Sequence, residues 1–256
     1  MGNGRTTTIL ESVDRHCILF MDIETVPMVP DFESLPEAYK PLWLHKAKSF
    51  KDKSGGEQTL TPEELFFEKA GLYAEFAKIV CISIGCYVQN KETNCEQLRI
   101  TSFYGHDEAV LLERFKAVLD KSFNNCDKHI LCAHNGTGFD FPVTARRFII
   151  NNIALPKLLN VSGMKSWNNK WLIDTMELWR FGAYGESASL NLLAACLGIP
   201  SPKDDISGSD VARVYWREDN LERIKAYCEK DIATLAKVFF RIAGLVPIAD
   251  DAVVHV

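Results

Sequence analysis

Asp22 and Glu24 stand one residue apart in "ILFMDIETVP". The apolar run before them reads as a core strand, and side chains at i and i+2 of a strand share a face. Two carboxylates so placed repel by roughly 4 kcal/mol when about 4 Å apart at an effective dielectric near 20. Either the strand exits into solvent there, where the pair costs little, or something positive compensates it. Further acids bear on the choice. "CAHNGTGFDFP" puts Asp140 just after a strand, in a glycine-punctuated loop with Asn135 and Phe139. "AYCEKDIATL" puts Tyr227 and Asp231 four residues apart, on one face of a helix. Ile224, Leu235 and Val238 lie near that face, so the acid points inward and needs a partner. A lone Tyr–Asp contact or a capping acid would satisfy that helix by itself. Grouped carboxylates, by contrast, offer the oxygens that hard divalent cations prefer.

Alternating strands and helices must position these residues. "HCILFMDIET", "KIVCISIGCYVQ", "EQLRITSFYG", "HILCAHN" and the start of "WLIDTMELW" read as strands. "DEAVLLERFKAVLDKSF" reads as a helix with a stripe of Val110, Leu111, Phe115, Val118 and Leu119. Further helices are expected around "VTARRFIINN", over "SASLNLLAACLGI" with Gly198 closing it, and over "SGSDVARVYWRED" and "NLERIKAYCEKDIATLAKVFFRIAG". Between the first two strands lies an excursion, about 27–77, with helical signals in "PDFESLPEAYKPLWLHKAK" and "TPEELFFEKAGLYAEFA". In the second, Thr61 is the N-cap, Pro62 occupies N1 and Glu64 N3. "KDKSGGEQ" between them reads as a loop, and residues 1–15 as a polar, frayed start. No repeat or linker divides the chain, so one mixed α/β domain over 1–256 is expected, with its core at about 16–245 and the excursion as a helical insertion.

Composition is that of a soluble globular protein: 256 residues, 47% hydrophobic, 25% charged, net charge -5. That balance argues against a strongly basic, nonspecific nucleic-acid binder, but not against an enzyme holding nucleic acid through metal ions. Apolar runs fall short of the roughly 20 residues a membrane helix needs. No signal-peptide core is present, which gives a cytoplasmic expectation. "MGNGRT" fits a myristoylation pattern too loose to weigh. Eight cysteines are scattered without a C-x-x-C pair and read as free thiols. "CDKHILC" offers Cys126, His129 and Cys132 as zinc ligands, against the absence of a fourth ligand and of paired spacing.

Taken together, "DIET", "HNGTGFDFP" and "YCEKD" resemble motifs I, II and III of the DEDD superfamily of 3′–5′ exonucleases, in the subtype whose third motif carries tyrosine. Asn135 with Phe-Asp-x-Pro is most similar to the proofreading exonuclease domains of family-B DNA polymerases, here as a stand-alone chain. The resemblance spans residues 22 to 231 but matches nothing in the insertion. It implies a ribonuclease H-like fold with a central mixed sheet flanked by helices. It also implies metal-dependent 3′–5′ hydrolysis of single-stranded nucleic acid, DNA favoured, releasing nucleoside 5′-monophosphates. Two Mg²⁺ or Mn²⁺ ions about 3.5–4 Å apart would activate water and stabilise the leaving oxygen. Asp22, Glu24, Asp140 and Asp231 would hold them, with Asp22 as the bridge, and metal would relieve the repulsion between Asp22 and Glu24. Without metal at least one of these acids should have a raised pKa. Tyr227, a poor proton acceptor at neutral pH, would orient the attacking water.

Thr25, Asn135 and Phe139 match positions lining the cleft for the 3′-terminal nucleotides, where an aromatic stacks bases without sequence preference. Arg146, Arg147 and Lys203 are candidate phosphate contacts, with a solvated surface as the alternative. Asp174 is placed either to support the site or to cap a helix, and His134 to serve structure. Two other readings stay open: an exonuclease directed at RNA, since nothing in the motifs reads a 2′-hydroxyl, and a catalytically silent binding module. Expected partners are single-stranded DNA or RNA 3′ ends, with replication or repair proteins beyond them, and no membrane.

Overall fold

A computed structural model describes residues 13–50, 60–165, 168–200 and 205–256. The strand-forming run after His16 becomes β1 (Ile18–Pro27), apolar on both faces because it is central and covered on both sides. β2 (Ala77–Gln89) and β3 (Glu96–Tyr104) follow as an antiparallel meander. β4 (Ile130–Ala133) and β5 (Leu172–Asp174) then add in parallel on the other side of β1. The sheet order is β5-β4-β1-β2-β3-β6. β6 (Val253–His255) pairs parallel to β3 and extends the sheet beyond residue 245.

The two-residue period of β1 divides the core. Leu19, Met21 and Ile23 pack against α3 (Glu108–Ser122) and α4 (Asp140–Ile150). Ile18 and Phe20 face α8 (Leu221–Ile242), meeting Phe239 and Phe240. The stripe predicted on α3 needs one correction. Val110 is 55% exposed and Leu112 is buried in its place beside Leu111, Phe115 and Leu119. At 100° per residue Val110 falls opposite the arc that those four share. α5 (Thr175–Arg180), α6 (Leu190–Cys196) and α7 (Val211–Trp216) fill the α8 side.

Within the insertion, the first helical signal shrinks to α1 (Lys40–Ala47), because residues 31–39 form turns around Pro36. The second gives α2 (Pro62–Lys69) with the predicted capping box between Thr61 and Glu64. Trp43 seats its ring between Phe66 and Phe76, with centroids 5.2 and 5.1 Å away, and donates from Nε1 to the Pro62 carbonyl at 2.7 Å. The insertion thus carries a small aromatic core of its own. The "KDKSGGEQ" loop, Lys203 and the start of the chain through residue 12 lie outside the described residues.

Candidate active site

β1 outruns β4: their pairing ends at Phe20 opposite Cys132, while β1 continues to Pro27. Past that point the Ile23 N–H donates to Asp140 Oδ1 at 3.2 Å, docking the first residue of α4 onto the open flank of β1. Asp22 and Glu24 point to the opposite side, toward α8, as their spacing requires. A bulge follows at once: Glu24 pairs with Cys81 and Thr25 with Ile79, leaving Val80 as the extra residue. Bulges bend a strand and re-aim what comes next. Here the turned segment is pinned by the Thr25 hydroxyl, which donates to the Gly71 carbonyl at 2.7 Å. The insertion therefore braces the strand end that carries the acids. Trp216 adds to this, donating from Nε1 to the Pro27 carbonyl at 3.1 Å.

The solvent-exit reading of the strand end fails. Glu24 is only 8% exposed and Asp140 3%. No ion pair among the described residues reaches Asp22, Glu24 or Asp140. Burial, then the charges of Asp140 and Asp231, hold the Asp22 carboxyl well above its usual range. Burial followed by Asp22 and Asp231 does the same to Glu24. Asp140 is pushed up to about 7 by burial, against the lowering pull of two backbone N–H groups. Three of the acids are thus raised by burial and neighbouring carboxylates, as expected where no cation offsets them.

Asp22 Oδ2 accepts from the Cys228 thiol at 3.2 Å, and Asp22, Glu24 and Cys228 bring their ligand atoms within 4.8 Å of one another. Among the described residues these three form the one cluster with metal-holding geometry, and the charges of Asp140 and Asp231 act on its two carboxylates. Asp22, Glu24 and Asp140, buried or half-buried and reached by no ion pair among the described residues, are a donor set that fits a hard divalent cation. Tyr227 hydrogen-bonds Asp231 one turn on; burial, then the charges of Asp231, Glu24 and Asp22, hold its phenol protonated.

The loop between β4 and α4 is held by Asp174. Its Oδ1 accepts from Asn135 N at 2.8 Å and from Met176 N at 2.9 Å, and its Oδ2 from Thr137 N at 3.0 Å. Asp174 thus takes both roles foreseen for it, capping α5 and fixing the loop. Asn135 sits at φ +58 and is exposed, its carbonyl accepting from Gly138 and Phe139 N–H. Phe139 is half-buried against the core. Gly136 is required by space: a Cβ there would stand 2.5 Å from that of Ala133 and 2.8 Å from the Phe141 ring. His134 is structural, as expected. Its Nε2–H donates to the Ala188 carbonyl at 2.8 Å, Nδ1 faces the Thr175 hydroxyl, and burial lowers its pKa.

Two expectations change. Arg147 is withdrawn from phosphate contact: it is buried in a bidentate pair with Glu108, which also accepts from Ile79 N at 2.7 Å. Arg146 beside it is exposed. The zinc reading fails because Cys126 packs on the α3 side of the sheet and Cys132 on the α8 side. The eight cysteines are free, four of them buried. Cys228, one of these four, was not singled out; its place inside Tyr-x-x-x-Asp was the available signal.

A six-stranded mixed sheet with helices on both faces is the central mixed α/β sheet expected from the sequence. The chain belongs to the family described as predicted 3′–5′ exonucleases related to the exonuclease domain of PolB, matched over residues 72–247. That match takes in Asp140, Tyr227 and Asp231 but begins after Asp22 and Glu24. Among solved structures, a family B DNA polymerase from the hyperthermophilic archaeon Pyrobaculum calidifontis is 14% identical with a TM-score of 0.48, over 86% of this chain and 24% of that one. An exonuclease I is 14% identical with a TM-score of 0.40, over 89% of this chain and 42% of that one. The chain therefore spans about a quarter of the polymerase and under half of the exonuclease. No curated protein matches it. Among the described residues no helix is long and apolar enough to cross a membrane.

Proposed function

We propose that this chain hydrolyses phosphodiester bonds from the 3′ end of single-stranded nucleic acid, DNA in preference to RNA, releasing nucleoside 5′-monophosphates. One observation carries the reading: acids from three separate segments, two of them buried and two half-buried, act on one another's charge where β1 passes the end of β4. Such an arrangement is costly unless cations complete it. Asp22, Glu24, Asp140 and Asp231 are the residues that would hold two Mg²⁺ or Mn²⁺ ions. When bound, such ions supply an activated water and neutralise charge at the leaving oxygen.

The chain's own groups do the rest. Tyr227 keeps its proton, so it does not act as a base. Its hydroxyl, oriented by Asp231, retains lone pairs that accept from the attacking water and aim it. Thr25 at the braced bulge, Asn135 on the exposed loop and half-buried Phe139 form the floor for the terminal nucleotides, Phe139 offering a face for stacking. Replication or repair proteins are the partners such an activity would serve, in the cytoplasmic compartment that free thiols suit.

The test uses 5′-labelled single-stranded DNA and RNA with Mg²⁺, Mn²⁺ or EDTA. Wild type should give a 3′-shortening ladder only with metal, faster on DNA. Tyr227→Phe should slow it about 10²-fold while Mn²⁺ affinity stays unchanged. No ladder on either polymer would leave a silent binding module, a faster one on RNA would reverse the substrate order, and equal loss of rate and affinity would make Tyr227 structural.

A further inference from the structure

We propose that Cys228 is a positioning residue for Asp22, fixing its carboxylate through a neutral hydrogen bond that leaves the negative charge available to a cation. The inference rests on the reading of Asp22 as a metal ligand. The Cys228 thiol is fully buried, 3.2 Å from Asp22 Oδ2 and 3.5 Å from its main-chain oxygen, so the S–H meets one residue from two sides. A lysine or arginine at this point would neutralise the carboxylate and compete with metal. A thiol donates weakly and carries no charge.

The thiol is itself backed by polar groups where a sheet–helix interface ordinarily carries apolar ones. On β2, Ser83 lies opposite Asp22 and Cys81 opposite Glu24. The Cys81 thiol acts on that of Cys228, raising its pKa, and stands 3.7 Å from the Ser83 hydroxyl. Ser83 continues to Ser102 at 2.8 Å, and Ser102 donates to Glu229 Oε1 at 2.7 Å. His255 Nδ1 fixes the other Glu229 oxygen at 2.9 Å. Cys81, Ser83 and Ser102 thus link the surroundings of Asp22 to the Glu229 carboxylate, which exposed His255 of β6 and Lys225 hold from the other side. These links are individually weak, but close packing gives each one orientation.

Mn²⁺ affinity, read from the paramagnetic resonance signal of free Mn²⁺, separates this from a packing role. Wild type should bind and Asp22→Asn should not. Cys228→Val keeps the volume without the donor and should bind about tenfold more weakly, at the low end for groups that orient metal ligands. Cys228→Ser, which can still donate, should recover to within about twofold of wild type. Melting temperatures confirm folding, and Cys228→Ala replaces the valine variant, with the same expected loss, should valine not fit. Wild-type affinity in the donor-less variant, or no recovery with serine, overturns the inference and leaves the role of Asp22 standing. Failure of wild type to bind Mn²⁺, or undiminished binding by Asp22→Asn, overturns both.

Discussion

Asp22→Asn should raise the melting temperature of the metal-free protein while lowering exonuclease activity by about 10³-fold or more. The two effects share one cause. Asp22 is half-buried and feels the charges of Asp140 and Asp231, with no cation among the described residues paired to it. A pair of unit charges 4.8 Å apart repels by about 3.5 kcal/mol at an effective dielectric of 20. Part of that is already relieved by retained protons, so removing the charge should stabilise by about 1–3 kcal/mol, roughly 2–10 °C for a chain of this size. Asparagine keeps an acceptor for Cys228. The gain should depend on pH with a definite sign. Asp140 has a native pKa raised from 3.8 to about 7, so the native state holds a proton that the unfolded state has lost between those values. Stability from this group is full below about 4 and is lost as pH rises through about 7. The advantage of Asp22→Asn should therefore be small at pH 4 and largest near pH 8. Saturating Mn²⁺ should reverse the order, stabilising wild type by binding only its native state. The activity loss corresponds to the several kcal/mol that metal ions contribute to transition-state charge. A variant destabilised at every pH would contradict this.

Asp174→Ala should cost about 3–5 kcal/mol and most of the activity, although Asp174 is not among the acids proposed to hold metal. Its carboxylate is 4% exposed and accepts three backbone N–H groups, two from the loop carrying Asn135 and one from the first turn of α5. Hydrogen bonds to a charged acceptor contribute about 1.5–3 kcal/mol each, less when they share one group. Alanine leaves the Met176 N–H buried without a partner and frees the Asn135 and Thr137 N–H groups of the more exposed loop. Asp174→Asn keeps the Oδ1 bonds to Asn135 and Met176 and loses that to Thr137, so its cost should be about a third as large. Urea denaturation should show the midpoint fall with little change in slope, since the denatured chain is the same. An unchanged midpoint in Asp174→Ala would show that the loop holds itself.

The site was more legible than its supports. Asp22 and Glu24 lie on one face because a strand repeats every two residues, and Tyr227 and Asp231 because a helix nearly repeats every four; both periods can be read directly from the chain. Thr61 with Glu64 was legible for the same reason, since a capping box is local. What failed was what depends on distant partners. Arg147 resembles a surface cation until Glu108, 39 residues away, is placed beside it. β6 is three residues long, too short to show a period, and exists because the exposed flank of β3 accepts it. Asp174 could not be assigned because its two loop donors come from residues 37 and 39 positions earlier. The insertion had no motif to match, and its bracing of Thr25 through Gly71 spans 46 residues.

The central claim is that four converging acids form a metal centre at the end of β1. Diffraction from crystals grown with Mn²⁺ and a short single-stranded oligonucleotide, recorded at the manganese edge, tests it most directly. The account predicts two anomalous peaks about 3.5–4 Å apart, ligated by Asp22, Glu24, Asp140 and Asp231, with the 3′-terminal nucleotide against Phe139. Manganese bound elsewhere, with these carboxylates left unligated, would contradict it.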